Sequence, residues 1–180
     1  KMLATPPDAT LNFWFGYDLF CQVNLWFLLS LIKDAAAGNI YVVYPVFLER
    51  EAWWEEFGKA NDEQLIYCFN NRTRATSKDL ELGAKLWSAY KNNDLAHLEQ
   101  LSFTPSSCFP SLQLVCRAHI ERFPGETGPG RPEQVVEDIL RTSAKDFYSV
   151  FSKFFEREGI YGFGDVQFKK IYDRVVNAGS

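Results

Sequence analysis

Between residues 11 and 45 the hydrophobic pattern of the chain changes twice, and this restricts its fold more than any other feature. LNFWF, residues 11–15, is a short apolar and aromatic run broken by Gly16, the pattern of a buried strand. Asp18 then stands where a helix cap belongs. Leu19, Val23, Trp26, Phe27, Ser30 and Leu31 recur at intervals of three and four, so a helix is predicted that ends near Lys33 and Asp34, before Gly38. NIYVVYP, residues 39–45, supplies a second strand that Pro45 stops. A strand, a helix and a strand within about 35 residues form the unit that builds a parallel pair through a right-handed crossover.

The fold class expected is therefore α/β. A short parallel βαβ, Rossmann-like unit fills residues 1–48, a mainly helical body residues 49–124, and a C-terminal three-helix, helix-turn-helix-like module residues 131–180. One βαβ unit does not complete a sheet, so the remaining strands are expected from an upstream segment or a partner chain. The opening KMLATPPDAT is read as a cut boundary. From residue 46 the period is helical: FLEREAWWEEFGKA, NDEQLIYCFNN and TSKDLELGAKLWSAYKNN, the last capped by Thr76 or Ser77. NDLAHLEQL, residues 93–101, is a short capped helix. CFPSLQLVCRAHIERF follows, with Pro110 placed in its first turn and Pro124 and Gly125 at its end. GETGPGRP, residues 125–132, is the linker to PEQVVEDIL, KDFYSVFSKFFERE and DVQFKKIYDRVV, the three terminal helices.

Composition narrows the classes of function. With 180 residues, 47% hydrophobic and 16% aromatic, the chain holds one domain's worth of core and little scope for long disorder. A net charge of −4 gives no general attraction to phosphate polymers or anionic lipid. Four cysteines lie in apolar stretches of a chain too large to need staples, which points to reduced thiols and a cytoplasmic location. A secretory signal is the minority reading of residues 19–32 and the alanines at 35–37, because Asp18, Gln22 and Asn24 interrupt the apolar run. The uninterrupted part, LWFLLSLI, is far short of the roughly 20 residues that span a bilayer.

In open parallel sheets ligands sit beyond the carboxyl ends of the strands, which draws attention to Gly16, Asp18, Gln22 and Asn24 as ligand-binding candidates. Asp18 and Gln22, four apart, share one helix face, and Cys21 and Asn24, three apart, a neighbouring one. A carboxylate with amides beside it suits an amine, a ribose hydroxyl or a hydrated Mg2+. Phosphate fits poorly, because Asp18 occupies the positive end of the helix and no glycine-rich fingerprint is present. In the competing reading, Asp18 only caps the helix and the amides satisfy nearby backbone. Cys21 is a weaker candidate nucleophile. Cys116 and His119 are expected to be a packed thiol and a hydrogen-bonded imidazole, so no metal site is assigned, and no cofactor is identified. Trp53, Trp54 and FYSVFSKFF are read as core and interface. The terminal module carries eight basic and eight acidic side chains, an unusual balance for a DNA reader. Gln167, Lys169, Lys170 and Arg174 nonetheless lie off the apolar positions Phe168, Ile171 and Val175, and they mark the face a nucleic acid would meet.

Several of these pieces, in order, resemble one family. WFGYDLFCQVNLWFLL, LWSAY, FPSLQLVCRAHIERFP, GPGRPE and FGDVQFKKIYDRV are together similar to the bacterial domain of unknown function 1835, over nearly the whole chain. The resemblance implies an additional N-terminal strand and helix with a glycine-aspartate-serine loop, which this sequence lacks. It also implies that Asp18, Gln22, Arg117, His119, Glu121, Glu133, Gly164 and Asp165 fall on recurring polar and glycine positions, but it brings no reaction with it. Three functions are therefore carried forward. The first is a cytoplasmic module that binds a small polar ligand or a protein partner near Asp18. The second is a hydrolase or transferase using Asp18 and Gln22. The third is a transcription regulator acting through the last helix.

Overall fold

The computed structural model describes residues 9–32, 39–125, 128–143 and 145–178. The opening residues 1–8, the stop signals Lys33, Asp34 and Gly38, the alanines between them, and residues 126 and 127 of the linker lie outside the described residues. β1 (Thr10–Trp14) leads into α1 (Leu19–Ile32) and then β2 (Asn39–Val43). The two strands are parallel, with Thr10 opposite Asn39 and Trp14 opposite Val43. Phe15 N–H donates to the Val43 carbonyl at 3.1 Å and extends the ladder by one bond.

The third strand of the sheet comes from within the chain. β3 (Thr73–Arg74) pairs antiparallel with β2, Val42 facing Thr73, so the strand order is β1-β2-β3. The expectation that further strands come only from elsewhere is corrected here. Two residues of polar RTRAT carry no alternation by which to recognise a strand; the pairing arises because the connection out of the preceding helix runs back along β2. The Arg72 guanidinium lies 4.6 Å from the Tyr41 ring centroid and 4.1 Å from that of Phe69, which holds the connection down.

The helical body contains α2 (Asp62–Asn70), α3 (Ser77–Lys91), α4 (Leu95–Ser102) and α5 (Leu112–Glu121). Asn61 and Thr76 close capping boxes on Gln64 and Asp79, and Asp94 caps α4 through the His97 N–H at 3.0 Å. α5 begins at Leu112, two residues beyond Pro110, which lies in the preceding turn. The helix expected over FLEREAWWEEFGKA is replaced by a 3-10 turn, Arg50–Glu55, and loose turns. Trp53 is drawn onto Tyr17, ring centroids 4.3 Å apart, and Glu56 turns the backbone to φ 54°, which an α-helix does not tolerate.

The terminal module is α6 (Arg131–Thr142), α7 (Phe147–Glu158), a 3-10 turn Gly159–Tyr161 and α8 (Asp165–Ala178). One buried cluster runs from Trp26 and Leu29 of α1 through Leu86 of α3 to Val136, Phe154 and Phe168 of the terminal helices. α1 lies close on α3 because position 83 is glycine: a Cβ there would stand 2.9 Å from Leu29 Cδ1. Arg131 grips the buried Glu158 carboxylate through Nε and Nη2 at 2.9 Å and reaches Glu121 of α5 at 3.5 Å, joining the module to the body. All four cysteines are free. Among the described residues no helix is long and apolar enough to cross a membrane.

Candidate functional site

The loop after β1 forms a polar corner. Asp18 caps α1, accepting the Cys21 N–H on Oδ1 at 3.0 Å and the Gln22 N–H on its main-chain oxygen at 2.9 Å. It is only 2% exposed, so its carboxyl sits inside the corner and not on a rim. Gln22 is fully buried; its Nε2 donates to the Gly16 carbonyl at 2.7 Å and to Tyr44 Oη at 3.3 Å. Tyr44 in turn donates to the Cys108 carbonyl at 2.8 Å. Gln22 therefore fastens the loop to β2 and the body. Gly16 is required by a close approach: a Cβ there would stand 2.4 Å from Glu56 Oε1.

Glu56 was not singled out from the sequence, yet it completes the corner. Its Oε1 accepts the Cys21 thiol at 3.0 Å, and its carboxyl faces that of Asp18. Burial, with the Glu56 carboxyl second, pushes the Asp18 carboxyl up to about 8. Burial, with the Asp18 charge second, holds the Cys21 thiol far above its usual range. Burial therefore works against the thiolate that a nucleophilic Cys21 would need. Asp18, Cys21 and Glu56 bring their ligand atoms within 4.8 Å of one another, the donor set among the described residues that fits a borderline divalent cation. A proton on Asp18 relieves the repulsion between the two carboxyls.

Asn24 points to a different place. Its amide donates to the Phe20 carbonyl of its own helix at 2.7 Å and lines a groove of about 960 Å³ between α1, α3, the end of α5 and the terminal module. Phe20, Phe27, Trp87, Tyr90, Phe123 and Phe163 supply its aromatic surface. Trp87 lies 4.9 Å from Phe27 and 6.0 Å from Tyr90, ring centroid to centroid. Arg122 lays its guanidinium over Phe163 at 5.4 Å.

Three of the four residues assigned to nucleic acid also line this groove. Gln167 caps α8 by accepting the Gly164 N–H at 2.8 Å, and Arg174 is paired with Glu133. Lys170 has no ion-pair partner among the described residues, and neither has Arg122. Lys169 is absent from the groove lining; it pairs with Asp173 at 2.7 Å and lies near Phe147. Tyr161, 1% exposed, lines the groove, and its hydroxyl makes no hydrogen bond among the described residues.

Behind the groove, His119 is packed 4.5 Å from Tyr90 and 5.3 Å from Phe123, centroid to centroid. Its two nitrogens have no partner among the described residues, which corrects the expectation of a hydrogen-bonded imidazole. Burial, with the Arg122 charge second, lowers its pKa to about 4, so it is neutral at pH 7. Corner and groove meet at the turn before α8. Gly162 has φ +62°, and a Cβ there would lie 2.2 Å from Asp18 Oδ1 and 3.0 Å from Phe20 Cβ.

The sequence held one signal for the groove. α1 is apolar on more than one face, and a helix of that kind is covered on more than one side. Phe20 and Phe27 are left open toward the groove, and Leu31 is exposed away from it. Compared with family models, curated proteins and solved structures, the chain matches none. The resemblance drawn above rests on its motifs alone.

Proposed function

We propose that this protein is a cytoplasmic small-molecule-binding module, non-enzymatic or regulatory, whose ligand lies in the groove between α1 and the terminal helices. The observation that carries this reading is an aromatic groove in which Arg122 and Lys170 have no carboxylate partner among the described residues. A cation on an apolar surface without an ion-pair partner favours an anionic or polar group supplied by a ligand. Asn24 keeps the ligand-binding role assigned to it, while Gly16, Asp18 and Gln22 position α1 from behind. The same proposal includes membership of the domain of unknown function 1835, on the motifs quoted above.

The enzyme reading has less to stand on, because Gln22 is hydrogen-bonded and Asp18 is buried beneath the loop. The nucleic-acid reading leaves Lys170 as the unpaired cation of the residues assigned to it.

The test is fluorine NMR on protein labelled with 5-fluorotryptophan, the Trp87 signal being assigned as the one lost in Trp87→Phe. On titration with a fragment set of aromatic acids, amines and sugars, at least one compound is expected to move the Trp87 signal and leave that of the fully buried Trp26 in place. Silence of the Trp87 signal across the set would remove the proposal.

A further inference from the structure

We infer that the ligand class of the groove is a planar aromatic carboxylic acid carrying a single negative charge. This deepens the proposed function and rests on its reading of the groove as a binding site.

Charge balance comes first. The groove is lined by Arg122, Lys170 and Arg174 and by Glu133 and Glu137. Arg174 and Glu133 neutralise each other, which leaves two cations against the Glu137 carboxylate and an excess of one positive charge. That excess matches a monoanion. A nucleotide polyphosphate would bring several negative charges to a rim that already holds a carboxylate, where like charges repel.

The donors point the same way. A guanidinium presents a planar fork that fits a carboxylate with two parallel hydrogen bonds, and Arg122 carries its guanidinium over the Phe163 ring, 5.4 Å from the centroid. The Tyr161 hydroxyl is buried without a partner, and such a group is costly unless something accepts its proton. A carboxylate has lone pairs enough for both donors; a protonated amine has none to offer. Beside aliphatic Leu19, Val23, Ile171 and Val175, the lining presents the rings of Phe27, Trp87, Tyr90 and Phe163, whose flat faces favour an aromatic body over a flexible chain.

The experiment is calorimetry on the full chain with four probes: naphthalene-2-carboxylate, naphthalene-2-methanol, 2-naphthyl phosphate and dodecanoate. The carboxylate is expected to bind at least tenfold more tightly than each of the others. Arg122→Gln is expected to weaken it tenfold or more, and Lys170→Met about threefold, neither changing the affinity of the alcohol. Tyr161→Phe is expected to weaken the carboxylate about threefold to tenfold without lowering the melting temperature, because the hydroxyl holds nothing in the free protein. Lys170 is exposed and unpaired, so its variant keeps the test valid should the Arg122 variant fold poorly.

Binding of the alcohol, the phosphate or dodecanoate as tightly as the carboxylate would overturn the ligand class and leave the binding site standing. So would a carboxylate affinity indifferent to Lys170→Met and Tyr161→Phe. Failure of all four probes would overturn the class, and the binding site falls with it only if the Trp87 fluorine signal is silent as well.

Discussion

Replacing Gly162 with valine is expected to lower stability by about 3 kcal/mol, the sum of a left-handed backbone unsuited to a branched residue and an overlap with a packed neighbour. The neighbour is Asp18 Oδ1, 2.2 Å from where the Cβ would stand, and behind it lies Phe20 Cβ at 3.0 Å. Neither can retreat easily, since Asp18 is fixed by the first turn of α1 and is pressed against Glu56. Urea unfolding measures the change as a lower midpoint at unchanged slope. Gly164→Ala is the control: there a Cβ would meet only Gln167 Oε1, at 3.6 Å, and stability should stay close to that of the parent. A Gly162→Val chain as stable as the parent would mean that the corner and the terminal module do not touch as described.

The second large effect is a pH dependence. Asp18 is raised from 3.8 to about 8 in the folded chain, so the native state holds a proton that the unfolded chain releases over that range. The stability tied to this group is complete below pH 4 and is lost as pH rises through 8. His119 acts with the opposite sign. Its pKa is lowered from 6.5 to about 4, so its contribution is complete above pH 6.5 and is lost as pH falls through 4. Between pH 4 and 6.5 the two slopes oppose each other. From pH 6.5 to 8 Asp18 acts without that opposition, and stability is expected to fall by on the order of 2 kcal/mol.

Asp18→Asn should abolish that fall. An asparagine still accepts the Cys21 N–H as a cap, and its Nδ2 donates toward Glu56 without a proton to lose. The variant is therefore expected to be the more stable chain at pH 8 and close to the parent at pH 5. Unfolding free energies from denaturant titrations across this range decide it. A parent curve flat from pH 6.5 to 8 would show that the two carboxyls do not share a buried corner.

The first 45 residues were legible because their signals are local. A continuous apolar run gives way to a spacing of three and four and then returns, and Asp18 stands at the junction as a cap, which the geometry bears out. The later helices were legible for the same reason: Thr76, Asp94 and Asp146 cap the helices that the apolar spacing marked. β3 was not, since two polar residues have no period, and they form a strand only because β2 offers an edge beside them.

The candidate site was half legible. Spacing placed Asp18 and Gln22 together, but exposure is not a property of spacing: Asp18 is buried against Glu56, which reaches Cys21 from 35 residues downstream, and Gln22 against Gly16 and Tyr44. Asn24 and Lys170 entered the sequence reading as members of two unrelated sites. Only the seating of the terminal module against α1, through the turn at Gly159–Tyr161 and Gly162, puts them on one groove, with Arg122 and Tyr161 contributed from two further elements.

The most direct measurement of whether that groove binds a ligand is a crystal structure of the chain grown with naphthalene-2-carboxylate. The ring is expected between Trp87 and Phe163, with the carboxylate oxygens within hydrogen-bond distance of the Arg122 guanidinium and the Tyr161 hydroxyl. An acid bound elsewhere on the chain, with solvent alone in the groove, would contradict the account.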